Sequence, residues 1–290
     1  MIYQQLINGL MLGASYSLVA IGYTLIFGVL RLLYFAHGEV FMVGAFIGLF
    51  SVVSAGLGIS GALLGAMIGC AVLGVVAYFV TVRPVPRDRP LAPLISSIGL
   101  TIVLQNLAVY FIGGRQMAFP ESIGQTLYHL GPVTVSSSQL FILAIAVGLM
   151  ALLWLLIERT KIGRAIRAVA ENHETAALLG VNVNRIVLIT FIIGSAIAGI
   201  AGVLDGLKNS SISPFMGLGA AVKGLIVMLL GGLGNVPGAM VAGLILGTIE
   251  ILSAAYIGTT ERDLFSFLIL ILVLLYKPTG LFGTRAVEQG

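Results

Sequence analysis

The chain has 290 residues, of which 59% are hydrophobic and only 9% charged, with a net charge of +4 and a mean hydropathy of +1.11. A water-facing domain carries roughly 25% charged residues, so this composition excludes a soluble enzyme or binding domain and gives an all-α polytopic membrane protein. The apolar runs are continuous rather than alternating, which argues against a β-barrel. The basic excess suits membrane topology and gives no reason to expect nucleic acid. The one cysteine, Cys70, lies in an apolar run and offers neither an intrachain disulfide nor a thiolate metal site.

A bilayer core of about 30 Å needs about 20 apolar residues per helix. The apolar runs in chain order are 6–29, 40–58, 59–82, 91–112, 140–157, 186–204, 215–230, 236–255 and 264–276. The first follows an uncharged start and is long enough to span, so it reads as a span rather than a cleavable signal. The run 215–230 contains Lys223, and 264–276 has only 13 residues before Pro278. Each reads either as a half-helix or as a tilted span, which gives eight or nine transmembrane helices. The loop 113–139 has room for one short helix and no domain.

Orientation follows from the basic residues of the short loops. The loop 83–89, the segment 158–185, the tail with Lys277 and Arg285, and Arg31 together hold eleven of the fifteen Lys and Arg residues. The opposite side holds Arg115, Lys208 and Arg262. The rich side is the cytoplasm, and nine crossings then put the C-terminus inside. Glycines at i, i+4 (Gly9/Gly13, Gly44/Gly48, Gly61/Gly65/Gly69, Gly243/Gly247) allow close helix approach. They serve packing within the chain or, alternatively, a dimer interface. The stretches 25–50 and 225–250 echo each other as span end, break and next span, the pattern of a parallel repeat or a coincidence.

Segment 158–185 is the only long, charged, helix-prone stretch. Four basic residues crowd its first half: Arg159, Lys161, Arg164 and Arg167. A short helix over 163–170, followed by Glu171, places Ile162, Ile166 and Val169 on one face and Arg164 and Arg167 on another. Asn172 is a favoured N-cap for a second helix over 173–179. Gly180 is placed to end it in the left-handed conformation. Two such helices make a compact knob, with Ala176 and Ala177 keeping one surface flat beside Leu179. The knob reads as a docking surface for a soluble partner or as an amphipathic loop lying on the membrane.

Ionisable residues inside spans are costly and default to functional candidates. Lys223 reads as facing a polar path, as paired with a carboxylate, or as snorkelling to the interface. Glu250, deep in its run, serves bundle hydrogen bonding or a pathway. The mid-span amides Gln105 and Asn106 are interhelical glue or path lining. His37-Gly-Glu39 at a span start reads as an interfacial anchor or a local hydrogen-bonded pair rather than a metal site. The chain contains no Gly-x4-Gly-Lys-Ser/Thr phosphate loop, and its spans leave no length for a nucleotide-hydrolysing domain.

The knob resembles the cytoplasmic coupling segment of ABC importer permeases. The likeness extends along the chain through Phe35-Ala-His-Gly-Glu-Val40, Arg83-Pro-Val85, Leu94-Ile-Ser-Ser-Ile-Gly99, Leu104-Gln-Asn106, Ala177-Leu-Leu-Gly-Val-Asn182, Leu229-Leu-Gly-Gly-Leu-Gly-Asn-Val-Pro-Gly238 and Lys277-Pro-Thr-Gly280. As a set these resemble the LivH-type permease subunits of branched-chain amino acid ABC importers. The resemblance implies a non-enzymatic subunit of a bacterial inner membrane. Its partners would be a second, related permease, two ATPase subunits and a periplasmic substrate-binding protein. It implies no cofactor in this chain, with ATP and Mg held by the ATPase subunits. The knob residues Arg164, Arg167, Glu171, Asn172, Ala176, Ala177, Leu179 and Gly180 would couple to them. Relatives that move urea or short amides, and an ion-coupled amino-acid symporter, are the alternatives.

Overall fold

The computed structural model describes residues 2–85, 91–120, 126–130, 133–258 and 262–283. Arg87, Arg89 and Arg285, counted above toward orientation, lie outside them. Eleven α-helices follow one another: α1 (Ile2–Leu30), α2 (His37–Val53), α3 (Gly58–Ala77, continued by a π-helical turn over Tyr78–Val82), α4 (Ala92–Ile112), α5 (Ser137–Arg159), α6 (Lys161–Glu171), α7 (His173–Leu178), α8 (Val183–Asn209), α9 (Met216–Gly231), α10 (Val236–Tyr256) and α11 (Arg262–Tyr276). Among the described residues, six helices are long and apolar enough to cross a membrane: α1, α3 with its π turn, α4, α5, α8 and α10. The shorter apolar helices α2, α9 and α11 have 17, 16 and 15 residues. All nine apolar runs of the sequence are therefore helical.

Local chemistry sets several boundaries. Ser136 and Gln139 form a capping box at the start of α5, each side chain bonding the other's backbone N–H at 3.2 and 3.0 Å. Asn235 caps α10 by accepting from Gly238 N at 2.9 Å, with Pro237 in the first turn where its missing N–H costs nothing. The chain after α11 folds back, and Leu281 N donates to Leu230 O at 2.7 Å.

Loop 113–139, which has room for one short helix, carries strands instead in its described part. Strand β1 (Met117–Ala118) pairs antiparallel with β4 (Ser211–Ile212), and β2 (Leu127–Leu130) pairs with β3 (Val133–Ser136). The β-branched pattern Val133-Thr-Val135 buries alternate residues, Val133 and Val135, against α1, a period that no helix can match.

Helices α1 and α8 form the centre. The α1–α10 pair runs antiparallel at backbone contact: Gly9 faces Thr248 and Gly13 faces Leu244, and a Cβ on either glycine would stand 2.6 Å from the opposing Cα. The glycine pairs of α2, α3 and α10 likewise face residues of this same chain, so they serve intramolecular packing. Helix α4 lies at the periphery, with only Ser97 and Ala108 buried.

A second internal echo, apart from that of 25–50 and 225–250, is inverted. A long helix, a six-residue break and a short helix occur as α1–α2 and again as α8–α9. The end of α1 (Ile26, Val29) packs on the start of α8 (Val183, Ile186, Val187), while Leu18 and Ile21 cluster with Ile200 and Leu204. The two lead helices are therefore antiparallel. This second echo lies in helix lengths rather than in residue pattern.

Candidate functional site

Glu250, fully buried in α10, is the hub of a polar cluster that joins four helices. Its Oε1 pairs with Lys223 Nζ of α9 and accepts from Ser266 Oγ of α11. Its Oε2 accepts from Arg262 Nε at 2.8 Å and from Tyr16 OH of α1 at 2.8 Å. Arg262 Nη2 also reaches Tyr16 OH at 3.0 Å. Lys223 Nζ adds Ser266 Oγ at 3.0 Å and Asp263 Oδ1 at 2.8 Å. Both carboxylate oxygens and all three ammonium hydrogens therefore have partners, as buried charges require. Lys223 pairs with carboxylates, one of the readings open for it, and it also lines a cavity. Tyr16, Arg262, Asp263 and Ser266 were missed in the sequence. A serine inside the apolar run 264–276, 16 residues after Glu250, was the one available signal.

Tyr16, Lys223, Arg262 and Asp263 of this cluster line a 390 Å³ cavity between α1, α2, α8, α9 and α11, which Asp205 and Lys208 also line. A second cavity of 270 Å³ reaches Asn8 and Gln139 and shares Lys208 and Arg262 with the first. Gln105 and Asn106 are not part of either. They lie on peripheral α4, where Asn106 is exposed and returns its amide to Ile102 O, one turn back, at 2.8 Å.

His37 and Glu39 are not interfacial. They are 0% and 1% exposed, at the point where the first turns of α2 and α9 abut. The His37 ring meets Tyr23 edge-on at 4.7 Å. Neither His37 nitrogen nor Glu39 Oε2 has a hydrogen-bond partner among the described residues, so the local-pair expectation fails too. The N-terminus of α9, at Gly217 beside the Glu39 carboxylate, supplies the favourable end of a helix dipole.

The knob is built as its sequence suggests, with two corrections. Thr160 caps α6 and Asn172 caps α7, accepting from Gly163 N at 3.0 Å and Thr175 N at 2.9 Å. Gly180 follows with φ +84°. Ile166 and Val169 face inward, but Ile162 is 43% exposed, because it sits in the first turn of α6 beyond the body it would need to touch. Ala176 is 1% exposed and packs against the body, so it cannot belong to an outer docking surface. Ala177 remains outside, beside Leu178 and Leu179, which are 88% and 77% exposed. Arg164, Glu171 and Asn172 are exposed. Arg167 turns back to Glu158 at 3.1 Å and to the terminal carbonyl of Ile157.

The knob is also fastened to α1. Arg31, at the end of that helix with φ +58°, donates from Nε to Ala170 O at 3.0 Å, and His173 Nε2 lies 2.6 Å from Val29 O. Nothing local in the chain signals this latch, since its two sides are 139 and 144 residues apart.

Residues 5–276 match the family model described as branched-chain amino acid transport system / permease component. The chain is 39% identical to the high-affinity branched-chain amino acid transport system permease protein LivH of Salmonella typhimurium, with 99% of this chain and 97% of that protein covered. It is 38% identical, at the same coverage, to the corresponding permease protein BraD of Pseudomonas aeruginosa. In structure it resembles a chain described as an inward-facing metal-chelate type ABC transporter, with a TM-score of 0.52 over 95% of this chain and 85% of that one. At 18% identity this likeness concerns the fold alone. The match along nearly the whole length places this chain in the branched-chain amino acid transport permease family.

Proposed function

We propose that this chain is the membrane-embedded permease subunit of an ATP-driven importer that translocates branched-chain amino acids, and that it catalyses no chemistry itself. The observation that carries this reading is the 39% identity spread over 99% of the chain. In this reading all nine apolar helices cross the bilayer, the knob is cytoplasmic and the C-terminus lies inside. A second, related permease completes the membrane portion, two ATPase subunits sit against the knobs, and a periplasmic binding protein delivers the amino acid. ATP and Mg belong to the ATPase subunits.

The geometry supports a route for coupling. Leu178, Leu179 and Ala177 form an apolar tip suited to a groove in a soluble partner. When ATP closes the ATPase pair, the knob moves, and the bonds from Arg31 and His173 carry that movement into α1. Along α1 the same rigid body includes α10, through the glycine seam, and Tyr16 at the Glu250 cluster. Gln105 and Asn106, on the periphery, are better suited to contact with the second permease than to a path through this one.

The test is purification of the tagged chain from its native membrane, followed by reconstitution with the binding protein. An ATPase subunit and a second permease should co-purify. Leucine uptake should survive collapse of the proton and sodium gradients and stop when ATP is removed. Uptake that follows an ion gradient and ignores ATP would overturn the reading.

A further inference from the structure

Glu250 and Lys223 are saturated within the polar cluster, but Asp205 and Lys208, which line the same cavity, are not. Asp205 and Lys208 stand one turn apart on α8, with Lys208 Nζ 4.0 Å from Asp205 Oδ1. This is the loosest ion pair among the described residues, whose other pairs lie at 3.1 Å or less. Lys208 donates no hydrogen bond in the described structure at all. Asp205 accepts only from Asn209, at 3.0 Å on Oδ2. Arg262, which lines the same cavity, uses Nε and Nη2 on Glu250 and Tyr16 and has no partner on Nη1 among the described residues. Two cations with unused donors and one carboxylate with an unused oxygen therefore face one space.

One part of that space is apolar, beside polar lining residues such as Ser15 and Asn209. Leu12, Val19, Phe41 and Met216 line it, and its 390 Å³ falls at the small end of the roughly 300–1,000 Å³ range of small-molecule sites. Such a wall favours a compact hydrocarbon group. The charges favour a ligand that carries both signs close together, because a lone anion or cation would leave part of the set unmatched. We infer that this cavity is a transit station for an α-amino acid zwitterion with an aliphatic side chain: the carboxylate bridges Lys208 and Arg262, the ammonium takes Asp205, and the side chain lies on Leu12, Val19, Phe41 and Met216. The ligand inserts into an ion pair that is already open, so binding leaves the net charge of the cavity unchanged. Lys223 takes no part, since its three hydrogens are engaged. The inference rests on the transport reading above and adds a site within it.

Gly219 supplies the reporter. It lines the cavity, and a Cβ there would meet nothing within 4 Å, so Gly219→Cys fits in a Cys70→Ala background. The assembled transporter, in lipid nanodiscs without binding protein, is treated with a water-soluble methanethiosulfonate. The cysteine should label. A transit site is weak, and with a Kd of about 1 mM, about 10 mM leucine should slow labelling about tenfold, as 1 + [L]/Kd. Leucinamide, which lacks the carboxylate, and 4-methylpentanoate, which lacks the ammonium, should slow it less than about twofold under the same relation. Lys208→Met should abolish protection by leucine, and Asp205→Asn should do so independently if the first variant fails to assemble. Absence of labelling, equal protection by all three compounds, or leucine protection that survives both variants would each overturn the station. The same wild-type preparation is assayed for leucine uptake with loaded binding protein. Uptake without protection refutes the station and leaves the transport reading intact, whereas absence of uptake refutes the transport reading itself.

Discussion

Replacement of Glu250 by glutamine keeps the size of the side chain and much of its hydrogen bonding but removes its charge from the centre of a cation pair. Lys223 and Arg262, with side chains 15% and 35% exposed, then share only Asp263, which is 72% exposed and bonded to Lys223. Breaking a buried pair by removing one partner costs about 3–5 kcal/mol. Arg262 keeps partial access to water, so the lower end applies, about 3 kcal/mol, or more than about a hundredfold in the folding equilibrium. Equilibrium unfolding of the purified chain in mixed micelles measures it. A double-mutant cycle with Lys223→Met assigns the cause: the double variant should be more stable than the sum of the singles by about 1–2 kcal/mol, because it removes the stranded ammonium. If Glu250→Gln lies within about 0.5 kcal/mol of the parent, the range of an ordinary surface change, the cluster is not a buried charge network and the argument fails.

Gly180 is held at φ +84° with open space around it, so the strain of Gly180→Val lies in the backbone, at about 1–3 kcal/mol. Insertion should be normal while ATPase association and leucine uptake fall, and Gly180→Asn, which tolerates the left-handed region, should recover most of both; wild-type uptake by the valine variant would remove Gly180 from any docking role. For orientation, a cysteine at Arg167 in a Cys70→Ala background should resist an impermeant reagent added to intact cells, while one at Arg115 should react, and labelling at position 167 from outside would invert the topology.

The elements of this fold were legible because each rests on local chemistry. Continuous apolar runs marked all nine apolar helices, and Asn172 and Gly180 marked the second knob helix by capping rules that act over a few residues. What could not be read depends on partners distant in sequence. Lys223 and Glu250 stood out as isolated charges, yet the cluster that neutralises them spans Tyr16 to Ser266. Arg262 was assigned to a loop because its neighbours are polar, and only the packing of α11 on α9 and α10 turns it inward. Ala176 and Ile162 show the same limit at short range: helical spacing gives the faces of α6 and α7, but the angle at which the helices dock decides which residues are covered.

The close fit of α1 against α10 also bears on how the chain is made. Helix α1 ends at Leu30 and α10 begins at Val236. At a synthesis rate of about 5–20 residues per second, roughly 10–40 s separate them on the ribosome. Throughout that interval the surface of α1 that carries Gly9, Gly13 and Ser17 lacks its final neighbour, including the Met240 carbonyl that Ser17 Oγ reaches at 2.8 Å. Helix α1, made long before α10, is thus among the last of these helices to gain its full set of neighbours. During biogenesis lipid, a neighbouring helix or the insertion machinery must shelter a face that the mature protein leaves no room to shelter.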